Sequence, residues 1–136
     1  MRVLVDTNVV LDVLLDRQPH AETSAAIWEA IETGVAEGLL SAHAVNTIHY
    51  LIRKEKSAFR TRRIISAILR VLGVAAVDDA VIQEALQLPL SDFEDAVTAA
   101  AAHQAGCDCI VTRNPKGFRG SPVRPLSPEA ARPLLR

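Results

Sequence analysis

The sequence predicts a single α/β domain: a three-layer α/β/α arrangement with helices on both faces of a parallel sheet of four to five strands. Two observations support this fold. Short apolar runs alternate along the chain with longer segments whose apolar residues recur at helical spacing. The first run, residues 3–5, has no polar residue to face water, which is typical of a strand buried on both faces. With 136 residues and 49% hydrophobic content, we expect one domain over residues 1–136.

The remaining elements follow from the same two patterns and from the residues that interrupt them. Candidate strands are apolar runs bounded by polar residues: 3–5, 38–41, 74–77, 109–112 and 122–126. Candidate helices show intervals of three and four: 9–15, 20–33, 43–54, 58–72, 80–88, 91–104 and from 128 onward. Helix ends are marked by proline or glycine: Pro19, Gly34, Pro89 and Gly106.

The predicted helix 58–72 is amphipathic and basic. We expect its apolar residues to face the core: Phe59, Ile64, Ile65, Ile68, Leu69 and Leu72. We expect its arginines to point mostly outward: Arg60, Arg62, Arg63 and Arg70. With Arg53, Lys54 and Lys56, this is the densest positive region of the chain, which indicates either a solvated helix face or a phosphate-binding surface.

Composition limits the possible functions. The formal net charge of -1 means that any nucleic acid must be held by a local basic patch. One Trp, one Tyr and three Phe are few for a base-stacking platform. Cys107 and Cys109 are too few for a disulfide framework or a zinc knuckle and are interpreted as core residues. The sequence shows no leader pattern and no membrane-spanning run, so we expect a cytoplasmic protein.

Polar residues follow the strands where a parallel sheet binds its ligands. Asp6 comes directly after the first strand, Asp92 and Asp95 lie at the start of helix 91–104, and Thr112 and Asn114 follow the fourth strand. Their oxygens are ligands that suit Mg²⁺ or Mn²⁺. Two carboxylates about 4 Å apart repel by roughly 4 kcal/mol at an effective dielectric near 20, and a divalent ion reverses that sign. Asp6 also fits a simple helix cap.

Three segments together resemble a PIN domain: residues 3–8, residues 92–101, and residues 110–114 with Phe118 downstream. The resemblance covers nearly the whole chain in order and spacing. It implies a parallel sheet, an acidic cluster that binds Mg²⁺ or Mn²⁺, and metal-dependent cleavage of RNA. Many bacterial members resemble VapC-type toxins, which are inhibited by an antitoxin and are commonly dimeric. The resemblance therefore implies three partners, namely RNA, an antitoxin protein and a second copy of the chain.

The resemblance also assigns roles to individual residues. Asp6 and Asp95 match the metal-binding acids of the family, and Asn8 matches the polar residue that supports the first acid. Asp92, one turn before Asp95, is then an auxiliary ligand or a water holder. Thr112 matches the hydroxyl that orients an acid or a water after the fourth strand. We expect Asp6, Asp92 and Asp95, together with Asn114, to form the catalytic set.

The chain departs from the family pattern at two positions. The usual glutamate should lie near Thr47, but no acid occurs between Ser41 and Arg53. A histidine is one possible replacement, and either Thr47 or His43 can reach the same sheet edge. Asn114 stands where many members have aspartate, which keeps an oxygen ligand but loses a charge. These departures leave open an alternative function, a catalytically silent PIN-like module that binds RNA or a protein.

The segment after the fourth strand supplies further candidates. Arg113, Lys116 and Arg119 are close enough to Thr112 to contact an RNA backbone, although a solvated loop would look the same. Asp12, one helical turn after Asn8, is expected to be exposed. A phosphate-accepting receiver domain also places acids at strand ends, but it requires a lysine after the last strand, and Lys116 is poorly placed for that role.

Overall fold

The structure, a computed structural model, describes residues 1–135 and contains one five-stranded parallel sheet. The strands are β1 (Arg2–Val5), β2 (Glu37–Ser41), β3 (Gly73–Ala75), β4 (Cys109–Val111) and β5 (Arg124–Leu126). They are ordered β3-β2-β1-β4-β5, and every neighbouring pair is parallel. β1 is the central strand of the sheet. Its last residue therefore lies in the middle of the edge formed by the carboxyl ends of the strands, here called the carboxyl edge.

Helices connect the strands and cover both faces of the sheet. They are α1 (Thr7–Leu14), α2 (Ala21–Glu32), α3 (Ala42–Arg53), α4 (Ala58–Val71), α5 (Asp79–Gln87), α6 (Phe93–Gln104) and α7 (Pro128–Ala131). Two 3₁₀ turns follow β4 and α7, at Pro115–Phe118 and Arg132–Leu135. The predicted domain and its last helix extend to residue 136, which lies outside the described residues.

The central strands are buried on both faces, as their sequence predicts. Val3 and Val5 face one apolar core and Leu4 faces the other, because successive side chains of a strand point to opposite sides. The first core includes residues of α1 to α4 and α7: Val9, Ile31, Ile48, Ile68 and Ala131. The second includes residues of α5, α6 and β4: Val81, Ala85, Ala99 and Ile110. The predicted three-layer α/β/α fold is therefore confirmed.

Small residues bring helices close to the sheet. All seven residues from Ala96 to Ala102 are buried, five of them alanines without long side chains that would hold α6 away from the strands. A methyl group on Gly38 of β2 would lie 2.6 Å from Ile31 Cδ1 and 2.7 Å from Leu72 Cδ2. The absence of that methyl group lets α2 and the end of α4 pack directly on β2.

Helix α4 differs from its predicted orientation at two positions. The side chains of Phe59 and Leu69 are 69% and 39% exposed, so the prediction that both face the core is wrong. Their neighbours Ile68 and Leu72 are buried as predicted. The reason is that α4 precedes β3, an edge strand of three residues, and packs mainly on α3, so its buried stripe is narrow. One side of α4 is therefore left in solvent.

The third and fourth strands end earlier than predicted. The predicted strand 74–77 is observed at Gly73–Ala75, where its last residue pairs with Ser41, the last residue of β2. The predicted strand 109–112 stops at Val111, so Thr112 lies just beyond the sheet. Within residues 1–135, no helix combines the length and apolar composition needed to cross a membrane.

Candidate active site at the carboxyl edge of the sheet

Asp6 lies at the centre of the carboxyl edge and is held at both of its carboxylate oxygens. The hydroxyl of Thr112 donates a hydrogen bond of 2.8 Å to Oδ2, and the backbone N–H of Thr7 donates one of 2.9 Å to Oδ1. The backbone N–H of Asp6 continues the sheet by donating to the carbonyl of Val111 at 2.9 Å. Asp6 is therefore the N-cap of α1, as predicted from its place before the helix. The same position holds its carboxylate at the edge of the sheet.

Two further acids lie at the start of α6. Asp92 is the N-cap of this helix, and its Oδ1 accepts a 3.0 Å hydrogen bond from the backbone N–H of Asp95. Burial, together with the charges of Asp92, Asp6 and Glu94, raises the pKa of Asp95 to about 6. Sequence reasoning placed Asp92 in this turn but did not single out Glu94.

Asp6 shows the same electrostatic pattern. Burial raises its pKa, while the hydrogen bonds from Thr112 and Thr7 act in the opposite direction. The nearby carboxylate of Glu94 also raises this pKa, whereas His43 lowers it. Burial and, secondarily, neighbouring acids thus disfavour the ionised forms of Asp6 and Asp95, and a bound cation would favour those forms.

Asn114 and Asp95 come together at Gly117, in the 3₁₀ turn after β4. A methyl group on Gly117 would lie 2.7 Å from Asn114 Nδ2 and 3.2 Å from Asp95 Oδ2. The turn and the start of α6 therefore leave no room for a side chain at this position. Sequence reasoning did not identify Gly117, because its role depends on close approach to residues from two other segments.

The loop from Thr112 to Asn114 is anchored from both sides. The backbone N–H of Asn114 donates to Thr112 Oγ1 at 3.1 Å, and that of Arg113 donates to Asn8 Oδ1 at 3.4 Å. Asn8 and Thr112 thus hold the loop next to Asp6. Asn8 and Thr112 are not acids themselves, but through these contacts they fix the position of the loop beside the acids.

Arg113 is turned toward the interior, where its Nε lies 2.7 Å from Asp12 Oδ2. The side chain of Asp12 has 0% exposure and that of Arg113 has 30%, so the predicted exposure of Asp12 is wrong. Neither oxygen of Asp12 accepts an aligned hydrogen bond, so the contact is an ion pair held by proximity. Lys116 and Arg119 are exposed in the same segment, and their contact with RNA stays a prediction.

Helix α3 brings His43, rather than an acid, to this edge. Its Nε2 lies 3.4 Å from Thr98 Oγ1, and Thr98 donates a hydrogen bond of 3.0 Å to the carbonyl of Glu94. Burial lowers the pKa of His43, although the charges of Glu94 and Asp6 oppose that shift. Thr47, at the position of the missing glutamate, instead donates to the His43 carbonyl at 3.4 Å.

A divalent cation at this edge would have to take part of its coordination from outside the protein. Across residues 1–135, no three side chains of His, Cys, Asp or Glu converge as a complete metal site. Asp6 and Asp95 would supply two carboxylates, and Asn114, which meets Asp95 at Gly117, would supply an amide. Mg²⁺ commonly binds through one or two carboxylates and completes its shell with water and substrate phosphates.

Solved structures share this fold at low sequence identity. A chain in the crystal structure of FitAcB from Neisseria gonorrhoeae is 20% identical, with a TM-score of 0.75 and coverage of 93% of this chain and 98% of that chain. A chain of VapBC2 from Rickettsia felis, bound to a DNA fragment from its promoter, is 15% identical, with a TM-score of 0.73 and the same coverage. A chain of a toxin-antitoxin complex from Klebsiella pneumoniae is 21% identical, with a TM-score of 0.69 and coverage of 93% and 97%.

At these identities the likeness shows the fold, and the family is shown by a separate comparison. No curated protein matches the chain. The sequence profile of the PIN domain matches residues 2–116, which include every predicted site residue except Arg119. The chain belongs to the PIN domain family.

Proposed function

We propose that this protein is a metal-dependent endoribonuclease and the toxin of a bacterial toxin-antitoxin pair. The observation that carries the proposal is the acidic cluster at the carboxyl edge, where burial and neighbouring acids raise the pKa of Asp95 to about 6. A site that keeps uncompensated acids together is suited to a cation. Family membership supports the choice of RNA cleavage among the reactions that such a site can perform.

In this proposal Asp6 and Asp95 hold Mg²⁺ or Mn²⁺, and the amide oxygen of Asn114 completes the protein's share of the ligands. The ion supplies an activated water and charge stabilisation for phosphodiester cleavage. Thr112 orients the Asp6 carboxylate through its 2.8 Å hydrogen bond. Asp92 fixes the turn of α6 that carries Asp95.

The surrounding residues position the substrate and the loop. Lys116 and Arg119 are exposed beside Asn114 and are proposed to contact the RNA backbone. Arg113, which faces Asp12, is proposed to hold the loop and to reach RNA only with its exposed part. Asn8 supports the same loop through the backbone of Arg113.

One of the solved structures that share the fold is a toxin-antitoxin complex from Klebsiella pneumoniae. This likeness supports an antitoxin as the protein partner here. A second copy of the chain is the other proposed partner, and the cytoplasm is the proposed location.

A catalytically silent module that binds RNA or a protein is the second candidate. It is favoured by the lack of any acid between Ser41 and Arg53 and by Asn114 in place of an acid. This module would keep the fold and its partners but would have no cleavage activity.

RNA cleavage distinguishes the two functions. Purified protein is incubated with a mixed RNA substrate in Mn²⁺, in Mg²⁺ or in chelator, beside the variants Asp6→Asn and Asp95→Asn. Asp79→Asn, which alters an exposed acid at the start of α5, is the matched control. A nuclease cleaves only with metal and loses cleavage in both site variants but not in the control. Equal inactivity of wild type and variants would support the silent module.

A further inference from the structure

Basic residues are concentrated on α3 and α4, outside the acidic site. Residues 53–70 contain seven of the chain's 15 Lys and Arg residues and a single acid, Glu55. The seven are Arg53, Lys54, Lys56, Arg60, Arg62, Arg63 and Arg70. All are exposed. Among the described residues, the ion pairs are formed by Arg2, His103 and Arg113, so none of these seven is neutralised by an acid.

Two aromatic rings are exposed among these cations. Tyr50 is 62% exposed and Phe59 is 69% exposed. Lys54 Nζ lies 4.7 Å from the centre of the Tyr50 ring, and Arg63 Cζ lies 5.7 Å from the centre of the Phe59 ring. Although the chain has few aromatics, two of them are exposed beside cations, which the composition alone did not indicate.

Five of the seven cations and both aromatic residues line two neighbouring grooves. The first, of about 520 Å³, is lined by Asn46, Thr47, His49, Tyr50, Arg53 and Lys54. The second, of about 400 Å³, is lined by Lys56, Phe59, Arg60, Arg63 and Ile64. The grooves meet at the α3–α4 turn, where Arg53 Nη1 donates a 3.0 Å hydrogen bond to the carbonyl of Lys56. We call the residues of the two grooves the α3–α4 surface.

The α3–α4 surface begins next to the candidate active site. Thr47, in the first groove, lies one turn from His43, whose Nε2 is 3.4 Å from Thr98 Oγ1 and whose pKa, although lowered by burial, is raised by the charges of Glu94 and Asp6. Helix α4 ends just before the amino end of β3, and its 14 residues span about 21 Å. The start of α4, with Phe59 and Arg60, is therefore about 21 Å from the amino end of β3.

We propose that the α3–α4 surface binds a single-stranded segment of RNA, with its cations on the phosphates and Tyr50 and Phe59 stacked on bases. This inference rests on the proposed function, because it concerns the substrate of the same site. Aromatic side chains reach base faces only where the bases are unpaired, which favours a single strand over a duplex. A second copy of the chain is disfavoured at this position, since two such surfaces would repel each other.

The test is binding, measured by fluorescence anisotropy with a labelled single-stranded RNA of mixed sequence in chelator, so that cleavage plays no part. The variant Arg60→Ala/Arg63→Ala removes two cations of the second groove. The control Arg17→Ala/Arg132→Ala removes the same charge from exposed positions on other segments. We expect the first variant to bind about tenfold more weakly and its slope of log K against log salt to be shallower by about 1.4. The control should stay within about twofold of wild type.

Stacking is tested separately from charge. Phe59→Ala should weaken binding of the single strand by roughly fivefold or more and leave a duplex of the same sequence unaffected. Leu86→Ala, which removes another exposed apolar side chain on α5, is the matched control and should change neither affinity. Thermal melts check that all variants remain folded, which is expected because every altered residue is exposed.

Several outcomes would overturn the inference. One is that the arginine variant and its control bind the RNA equally well. Another is that wild type binds single strand and duplex with equal affinity. A third is that polyglutamate binds as tightly as RNA and that the arginine variant loses affinity for both to the same extent. The last result would assign the surface to an acidic protein. RNA binding through this surface without metal-dependent cleavage would contradict the proposed function alone. Cleavage that is insensitive to these variants, with unchanged binding, would contradict this inference alone.

Discussion

Arg113 Nε lies 2.7 Å from Asp12 Oδ2, and this contact joins the loop after β4 to a fully buried carboxylate on α1. Asn8, one turn earlier on α1, accepts a hydrogen bond from the backbone of the same arginine. The loop that carries Thr112 and Asn114 is therefore attached to α1 at two points. Through this attachment, the interior of the protein fixes one side of the candidate metal site.

The first prediction concerns this ion pair. Arg113→Ala leaves the buried Asp12 carboxylate without its partner and should lower the free energy of unfolding by about 3 kcal/mol. Asp12→Asn should cost less, because the 30% of the Arg113 side chain that is exposed lets the arginine remain hydrated. Urea denaturation measures both single variants and the double variant. The double variant should lose less stability than the two singles together, and simple additivity would contradict a coupled pair.

The second prediction concerns the effect of Asp95 on the free energy of unfolding when no metal is bound. Its pKa is raised from 3.8 to about 6, so the folded state binds a proton more readily than the unfolded state. The contribution of Asp95 to stability is therefore least favourable above pH 6 and improves as the pH falls through 6 toward 3.8. Asp95→Asn should melt at a higher temperature than wild type at pH 7.5 in chelator.

The same comparison at pH 5 provides the control, because wild-type Asp95 is then largely protonated. The difference in melting temperature between wild type and Asp95→Asn should shrink at that pH. Asp6 and His43 titrate in both proteins, so most of their effect cancels in the difference. A melting difference that is the same at both pH values would contradict the assigned cause.

The third prediction concerns Gly117. A methyl group there would meet the end of the Asn114 side chain at 2.7 Å and Asp95 Oδ2 at 3.2 Å. Since a side-chain end can move more easily than backbone, Gly117→Ala should cost only about 1 kcal/mol of stability. Displacement of Asn114 and Asp95 should nevertheless weaken Mn²⁺ binding about tenfold, as measured by calorimetry. Gly34→Ala is a poor control because Gly34 has φ +84°, so an exposed substitution such as Leu86→Ala is used instead. Unchanged Mn²⁺ affinity in Gly117→Ala would contradict the assigned contact.

The fold was predictable because its signals are local. The run at residues 3–5, with Asp6 after it, defines a buried strand that ends in a helix cap, and both features are present. The alanine-rich segment after Asp95 predicts a helix packed closely on the sheet, and α6 is buried along that segment. Local patterns of this kind need no knowledge of the rest of the chain.

Parts of the site could not be predicted because they depend on distant residues. The burial of Asp12 requires Arg113, which follows about a hundred positions later in the sequence. His43 lies at the edge only because α3 and α6 bring it to Thr98. The exposure of Phe59 depends on the shortness of the edge strand beside α4. The local sequence around Asp12 and Phe59 favoured the opposite prediction, an exposed Asp12 and a buried Phe59.

Binding of Mn²⁺ to the purified protein, measured by calorimetry at pH 7.5, tests most directly whether this edge of the sheet is a metal site. We expect one ion per chain in wild type and in Asp79→Asn, no measurable binding in Asp6→Asn or Asp95→Asn, and weaker wild-type binding at pH 5 because Asp95 is then protonated. Absence of binding to wild type at pH 7.5, or equal binding by all four proteins, would contradict a metal site at Asp6 and Asp95.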